Sequence, residues 1–587
     1  MKNIKFILFS ALLFLGNLTI SADDIIEHRG DRYVIHVEAL NPDSEMTLLD
    51  VLHLCPELIS YDGKNITNDY RLRINNTHLS VDWETALENI KASELKYVQI
   101  CNYTSAAKGV NGGGGVIDIY YKPQEGTSGK VAIEGSTYGN GKLYTDITSK
   151  VSPNLTLTGY AMTNQQYTKG YPTDGGTFKS RSTSEAAHLL IDWNISKNDN
   201  LKIKLYQQFI DYKHKITNIT NTTSAFPTIN RYGDMVITYE RTVNDNGALW
   251  IVEGGADYSS ISSNIDEVFG SNTNARRESA PYFFTEINYP VLNNDLWIMF
   301  GWEIDYDNIW YRGVSREQLM LNNIYLQLDY SHGPWVFTLG DRFRHMNYWN
   351  RLAIPNDNDL WAHNRNNHGF VASAGYKTNG HFIQAAFDRD HYLPFVEDFF
   401  GDGEIVNGKR TYNTAYKTNL VWRAEARYTY QNKNFVFFGN VLHTWMNDLP
   451  TPNEQTTAIR TSATWNKGPL RLTAGVNYYH THINATATEG GRYDNYYTLK
   501  LAPTLLLGKG FRVSSVLLYS SRTKILDTHP HLYSSVKVNK DFGRHINVFA
   551  DFHDLAGMPT MRAEEMSGTY NKRALTVGMT YRFGGKK

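Results

Sequence analysis

The feature that most constrains this chain is the spacing of its turns. Between about Lys130 and Phe583 ten short turn segments recur: Ser152-Pro153-Asn154, Lys197-Asn198-Asp199, Asn244-Asp245-Asn246, Asn293-Asn294-Asp295, His332-Gly333-Pro334, Thr378-Asn379-Gly380, Asn432-Lys433-Asn434, Lys467-Gly468-Pro469, Gly508-Lys509-Gly510 and Phe542-Gly543-Arg544. Asn, Asp and Gly tolerate the positive φ of a tight hairpin. Between consecutive short turns lies room for two strands and a longer loop, as from about Asn350 to Asn366 and from His391 to Thr414. Ten turns divide the region into eleven hairpins, hence about 22 strands. Short turns at one end and long loops at the other suit a transmembrane β-barrel, with the turns periplasmic and the loops extracellular.

The segments themselves alternate, with strands of roughly ten residues expected. Leu575, Val577, Met579, Tyr581 and Phe583 alternate with Thr576, Gly578, Thr580 and Arg582, and Ile324, Leu326, Leu328 and Tyr330 with Tyr325, Gln327 and Asp329. A period of two turns one set to lipid and the other to the lumen. A mean hydropathy of -0.44 therefore does not exclude a membrane protein, because only every second strand residue needs to be apolar. The 39 Tyr and 12 Trp suit interfacial girdles. A barrel of about 22 strands encloses a lumen wide enough to need a plug. Net charge is -1, which gives no bulk attraction to nucleic acid.

The chain starts as an exported one. Lys2 and Lys5 precede the short apolar run Phe6 to Leu15, and Thr19, Ser21 and Ala22 precede Asp23-Asp24, placing signal-peptide cleavage near residue 22. No later apolar stretch reaches the roughly 18 to 20 residues of a membrane-spanning helix. The expected division is a signal peptide over 1–22, a plug over 23–125 and a barrel over 126–587. Cys55 and Cys101 are either a disulfide in an oxidising periplasm or two buried thiols, and their sequence positions do not decide.

Residues 23 to about 125 read as a small α+β unit. It comprises a helix over Thr47 to His53 ending before Pro56, a strand over Tyr70 to Ile74, and an amphipathic helix over Asp82 to Ile90. A strand over Tyr97 to Cys101 follows, and Gly112 to Gly115 lead into a strand over Val116 to Lys122. This order resembles the plug of TonB-dependent receptors, with Leu52 to Pro56, Val98 to Cys101 and Gly114 to Lys122 matching its successive motifs. Asp31 to Val37 and Asn547 to Phe552 resemble the Bacteroidota branch of that family. The resemblance implies a receptor in the outer membrane, in contact with its lipid, that imports a scarce small solute such as a metal chelate, haem, a vitamin, a glycan or a peptide. It also implies a TonB–ExbB–ExbD energiser. The chain departs from the family in having no clear TonB box, no carboxypeptidase-like N-terminal domain, and Pro56-Glu57 where Pro-Gly is usual. The alternative is a plugged barrel that does not transport and serves as a platform for a surface lipoprotein.

Candidate sites follow from this reading. Asp23, Asp24, Ile25, Ile26 and Glu27 are the candidate TonB contact, against a disordered terminus. Gly112, Gly113, Gly114 and Gly115 are a candidate plug hinge; they lead into a strand, so they are no phosphate cradle. His480 and His482, with His529 and His531, form a candidate metal or haem site joined by Met558, Met561 and Met566, against histidines on a wet rim. Trp349, Trp361, Phe395, Phe399 and Phe400 are candidate ligand-stacking aromatics, against an interfacial girdle. Glu397, Asp398, Asp402 and Glu404 could hold a cation or be solvated loop. No His-Glu-x-x-His, P-loop or Gly-x-Ser-x-Gly motif is present, so no enzyme and no bound cofactor is expected.

Overall fold

The computed structural model of the chain describes residues 25–29, 32–40, 46–52, 54–55, 71–74, 77–78, 90–101 and 115–122 of the N-terminal region, and then the strands and short turns of residues 125–584. Within the latter, 138, 171–176, 218–222, 264–274, 312–314, 353–359, 393–404, 407–408, 411–418, 433, 448–453, 485–490, 523–529, 554 and 556–573, with 123–124, lie outside the described residues.

The C-terminal sheet closes on itself. Its first strand, Thr127–Ser136, pairs with the next strand, Gly141–Ser152, and also with the last, Ala574–Gly584. The result is a closed barrel of 22 antiparallel strands, each beside its sequence neighbour. Closure leaves no edge with unpaired backbone groups, which a bilayer would not satisfy. All ten turns expected from the sequence join observed strands. Asn293, Asn379 and Lys509 take positive φ there. At Gly380, with φ of 79°, the Gln431 backbone oxygen occupies the space a Cβ would need.

Strand length departs from expectation. Strands run from 8 residues (Ile546–His553) to 20 (Thr223–Thr242). About 9 to 11 tilted residues cross the hydrocarbon, so the excess continues the ladder past the membrane on the extracellular side. The loops are shorter in consequence. The expected loop from Asn350 to Asn366 shrinks to 353–359, between Trp335–Leu352 and Leu360–Thr378. The loop after Tyr392 extends to 418 and carries the small pair Ile405–Val406 with Lys409–Arg410.

The two faces of the wall follow parity. Ile324 and Leu326 are 44% and 46% exposed, whereas Tyr325 and Gln327, between and beyond them, are 1% and 0% exposed. Trp193, Trp335, Tyr376, Trp465 and Tyr581 stand exposed near the short turns, as a periplasmic-side girdle requires. The exterior is therefore an apolar band, and the polar residues look inward.

The N-terminal region forms a six-stranded sheet: β1 (Ile26–Arg29), β2 (Arg32–His36), β3 (Arg71–Ile74), β4 (Thr77–His78), β5 (Leu95–Cys101) and β6 (Val116–Tyr121), in the order β1-β2-β5-β6-β3-β4. Only β3 and β6 are parallel; the other pairs are antiparallel. A short helix, α1 (Leu48–Leu52), starts in a capping arrangement: the Thr47 N–H donates to Asp50 Oδ2 (2.8 Å), and the Asp50 N–H to Thr47 Oγ1 (3.3 Å). It buries Leu48, Val51 and Leu52 against Ile35, Val98, Ile100, Ile117 and Ile119 of the sheet. Cys55 and Cys101 are both buried and no disulfide joins them, so of the two readings open for them that of two buried thiols is observed. Most of the helix expected over Asp82 to Ile90 lies outside the described residues.

Candidate functional site

The lumen is the only polar path through such a wall, and the six-stranded sheet stands across it. Its attachment to the wall is mainly polar. The Ile26 N–H donates to Gln431 Oε1 (2.8 Å), and Gln431 Nε2 donates back to the Ile26 carbonyl (2.7 Å). Arg32 meets Asp329 at 3.4 Å, Asp50 of α1 meets Arg512 at 3.5 Å, and Glu94 meets Lys130 at 3.7 Å. The Arg427 guanidinium lies 5.4 Å from the ring centres of both plug Tyr33 and wall Phe438. Among the described residues apolar contact is sparser: the plug core takes Val436 from the wall, and the Tyr33 ring lies 6.0 Å from that of wall Phe438. A cavity of about 50 Å³, lined by Met46, Asp50, Val436, Arg471 and Thr504 among others, opens in the seam between the two.

The most buried charge of the plug faces the wall's acidic side. Arg73 and Asp118 are direct partners on the parallel strands β3 and β6, with Nε 2.9 Å from Oδ1, and Asp118 is wholly buried. Burial opposes the guanidinium charge, but Asp118 and then wall Glu253 and Glu286 outweigh it and hold Arg73 above its ordinary value. Burial, with Asp118 beside it, likewise keeps the Tyr120 phenol protonated. Glu253 accepts Thr238 Oγ1 (2.7 Å) and the Tyr282 hydroxyl (3.1 Å), and Glu286 accepts Asn288 Nδ2 (2.7 Å) and the Tyr325 hydroxyl. One plug cation thus lies in the electrostatic field of two wall carboxylates that are already held by their neighbours.

The rest of the lumen wall carries paired charges. Arg423 holds Asp388 through Nε (2.8 and 3.1 Å), Lys204 holds Asp234 (2.9 Å), and Arg427 and Asn440 hold Glu425 (2.9 and 2.7 Å). Arg344, 2% exposed, donates to Asn323 (2.9 Å) and lies 3.6 Å from Asp390. Such a wall can exchange its internal hydrogen bonds for those of a polar solute at small net change. Among the described residues no group of three His, Cys, Asp or Glu could hold a metal ion.

The sequence candidates fall in several places. Ile25, Ile26 and Glu27 are not a free tail: Ile26 opens β1, pairs with Ile35, and is wholly buried with Ile25 almost so. The reason is sequence-local, since Ile25-Ile26 supply apolar side chains to the plug core. Asp23 and Asp24 lie outside the described residues, as do Gly112, Gly113 and Gly114, while Gly115 is buried just ahead of β6. His480 and His482 share a strand face with Val476 (50% exposed) and Tyr478, and so look outward and away from the lumen. His480 bonds Asn495 (2.7 Å), and His482 stacks on Tyr493 at 4.2 Å. His529 lies outside the described residues, as does the His531 side chain at the head of its strand, so the structure does not assemble the four histidines. Trp349 has the parity of Leu339 and Phe343 and belongs to the outer face. The Trp361 side chain, Phe395, Phe399 and Phe400 lie outside the described residues, as do Glu397, Asp398, Asp402, Glu404, Met558, Met561 and Met566. The residues that sequence reasoning missed are Arg73, Asp118, Glu253, Glu286 and Gln431. One signal was available: Asp118 interrupts the apolar run Val116-Ile117-Asp118-Ile119, where a lone buried carboxylate demands a partner.

No family model matches the chain, and no curated protein matches it in sequence. Its fold is nevertheless that of known receptors. The copper transporter OprC superposes with a TM-score of 0.70 at 9% identity, covering 95% of this chain and 99% of that one. The siderophore receptor PirA from Pseudomonas aeruginosa gives 0.65 at 11% identity, covering 95% and 100%. The FrpB iron transporter from Neisseria meningitidis gives 0.67 at 10% identity, covering 94% and 99%. The plug-in-barrel fold expected from the resemblance to TonB-dependent receptors is the fold found.

Proposed function

We propose that this chain, which has the fold of a TonB-dependent receptor, is an outer-membrane receptor and transporter. It imports a scarce small solute by displacement of its plug. One observation carries the reading: among the described residues the plug has an apolar core almost entirely its own, joined by Val436 alone from the wall, and meets the wall mainly through hydrogen bonds and ion pairs. A sheet held this way can leave the wall without baring a large apolar surface, because water replaces polar contacts at little cost. A permanent stopper would be expected to share its core with the barrel.

Many such contacts do not release together spontaneously, so the work comes from a partner in the periplasm, taken to be the TonB–ExbB–ExbD system. Ile26 is already tied to Gln431, which confines any free contact segment to residues ahead of Ile25. The charged lumen wall favours a polar or charged cargo; metal chelates, haem, vitamins and short glycans or peptides all remain in that class. Growth on limiting iron, haem, cobalamin or glycan, with and without the gene, tests the reading. A growth defect on one source that the restored gene repairs supports import. No defect on any source, together with no capture by the TonB C-terminal domain, favours the platform for a surface lipoprotein.

A further inference from the structure

We propose that the outer face of three neighbouring strands, Thr177–Asn194, Asp199–Thr217 and Thr223–Thr242, is a docking site for a phosphorylated glycolipid of the outer leaflet. The inference rests on the membrane placement given above. Lys179 is the direct cross-strand partner of Lys215, and Arg181 that of Lys213. Arg231 on the third strand is the partner of Phe209 and lies over its ring at 5.9 Å. All five cations are exposed on the outward parity of their strands. Among the described residues two carboxylates share that patch, Asp211, at 3.8 Å from Lys213, and Glu185.

Like charges placed directly opposite on adjacent strands destabilise a sheet. Two successive pairs of this kind are costly unless an anion lies over them. Lys179 and Lys215 have no carboxylate partner among the described residues. The two arginines are held in place instead, Arg181 by donating to Gln165 (2.9 Å) and Arg231 by the Phe209 ring.

Height decides which anion reaches them. Below the patch the same face is apolar, with Leu189, Trp193, Leu205, Met235 and Ile237 exposed. A strand rises about 3.3 Å per residue and tilts by roughly 40°, so each residue climbs about 2.5 Å along the barrel axis. Arg181 is twelve residues above Trp193, and Lys213 twelve above Leu201, on the way to the extracellular loops. Arg231, eight residues above Tyr239, lies lower at roughly 20 Å, while Arg181 and Lys213 stand roughly 30 Å above that edge, just past an apolar band about 25 Å tall. That is the headgroup level of the outer leaflet, on the lipid side, where the available anion is the head of an amphiphile. Two rows of cations, about 7 Å apart along the strands, offer two anion positions. They fit a rigid sugar head bearing two phosphates better than a single phosphodiester.

The test uses the full-length protein in phosphatidylcholine vesicles, alone or with lipid A or phosphatidylglycerol at matched charge. Bound lipid is counted by native mass spectrometry, and thermal unfolding is followed in parallel. The chain should retain lipid A in preference to phosphatidylglycerol and melt higher with it. The variant R181Q/K213Q/K215Q should bind lipid A about 100-fold more weakly, given the usual strength of a basic side chain at an anionic surface. Arg277→Gln, an exposed cation elsewhere on the outer face, should change neither readout. Equal retention by the triple variant, or equal binding of phosphatidylglycerol by the wild type, overturns the proposal. Failure of the chain to insert into phosphatidylcholine alone, read by heat-modifiable mobility in the same samples, overturns the membrane placement and the proposal with it. Normal insertion without lipid discrimination removes only the docking site.

Discussion

Arg73→Met is the most informative single change in the plug. The native guanidinium is paired with Asp118 at 2.9 Å and is further stabilised by the charges of Glu253 and Glu286, all three carboxylates nearly or wholly buried. Removing it takes away the guanidinium that neutralises the buried Asp118 carboxylate. Breaking a buried ion pair from one side costs about 3 to 5 kcal/mol; because the Arg73 side chain is 15% exposed, the lower end, about 3 kcal/mol, is expected. That corresponds to a roughly 150-fold rise in the population of the released plug. The barrel ladder involves none of these side chains in its pairing, so barrel unfolding should not move. The assay is calorimetry of the purified protein with limited proteolysis of the plug followed in parallel. Plug cleavage should rise steeply while barrel melting and heat-modifiable mobility stay at wild-type values. Pairing the change with Asp118→Leu should restore much of the loss, since the orphaned charge is then gone. A double variant weaker than Arg73→Met, or a single variant with unchanged cleavage, would refute the reasoning.

Four further outcomes follow. Gln431→Leu strands the Ile26 N–H and carbonyl at the wall, costing about 1 to 3 kcal/mol per buried group left unpaired, and should speed hydrogen exchange at Ile26 well above that of β5. Gly301→Ala sets a methyl inside the ring of the buried Tyr325; overpacking of about 1 to 3 kcal/mol, with loss of the Tyr325–Glu286 bond, should lower barrel melting and the yield of heat-modifiable protein. His480→Ala with His482→Ala should leave metal binding and uptake unchanged, because both rings face outward; lost uptake in cells with normal receptor levels would return them to the solute path. Cys55 and Cys101 are buried and not joined by a disulfide, so reductant should not shift plug melting and native protein should resist maleimide labelling until denatured.

The barrel was legible because both of its signals are local. A short turn declares itself in three residues, and parity declares itself within one strand, as Leu575 to Phe583 shows. Strand ends were less legible: outside the hydrocarbon the ladder persists through polar residues, as at Asn364 to His368, which composition alone assigns to a loop. The plug's strands were readable by order, but its fastening was not. Arg73 and Glu253 are 180 positions apart, and nothing near either names the other. Parity could have been carried further: counting from Val476 and Tyr478 places His480 and His482 on the lipid side. Ile25-Ile26 suit a tail and the start of a strand equally well in sequence, and only the position of β2 beside them distinguishes the two.

The central claim, a wall whose lumen is shut by a releasable plug, is tested most directly by conductance of the full-length protein in a planar bilayer. Arg32→Cys and Asp329→Cys place one thiol on the plug and one on the wall where the native side chains meet at 3.4 Å. Untreated protein should be closed, moderate urea should bring reversible large openings, and joining the two thiols with a short bifunctional reagent should suppress them. A wild-type channel open without urea, or openings as frequent after cross-linking as before, would contradict the claim.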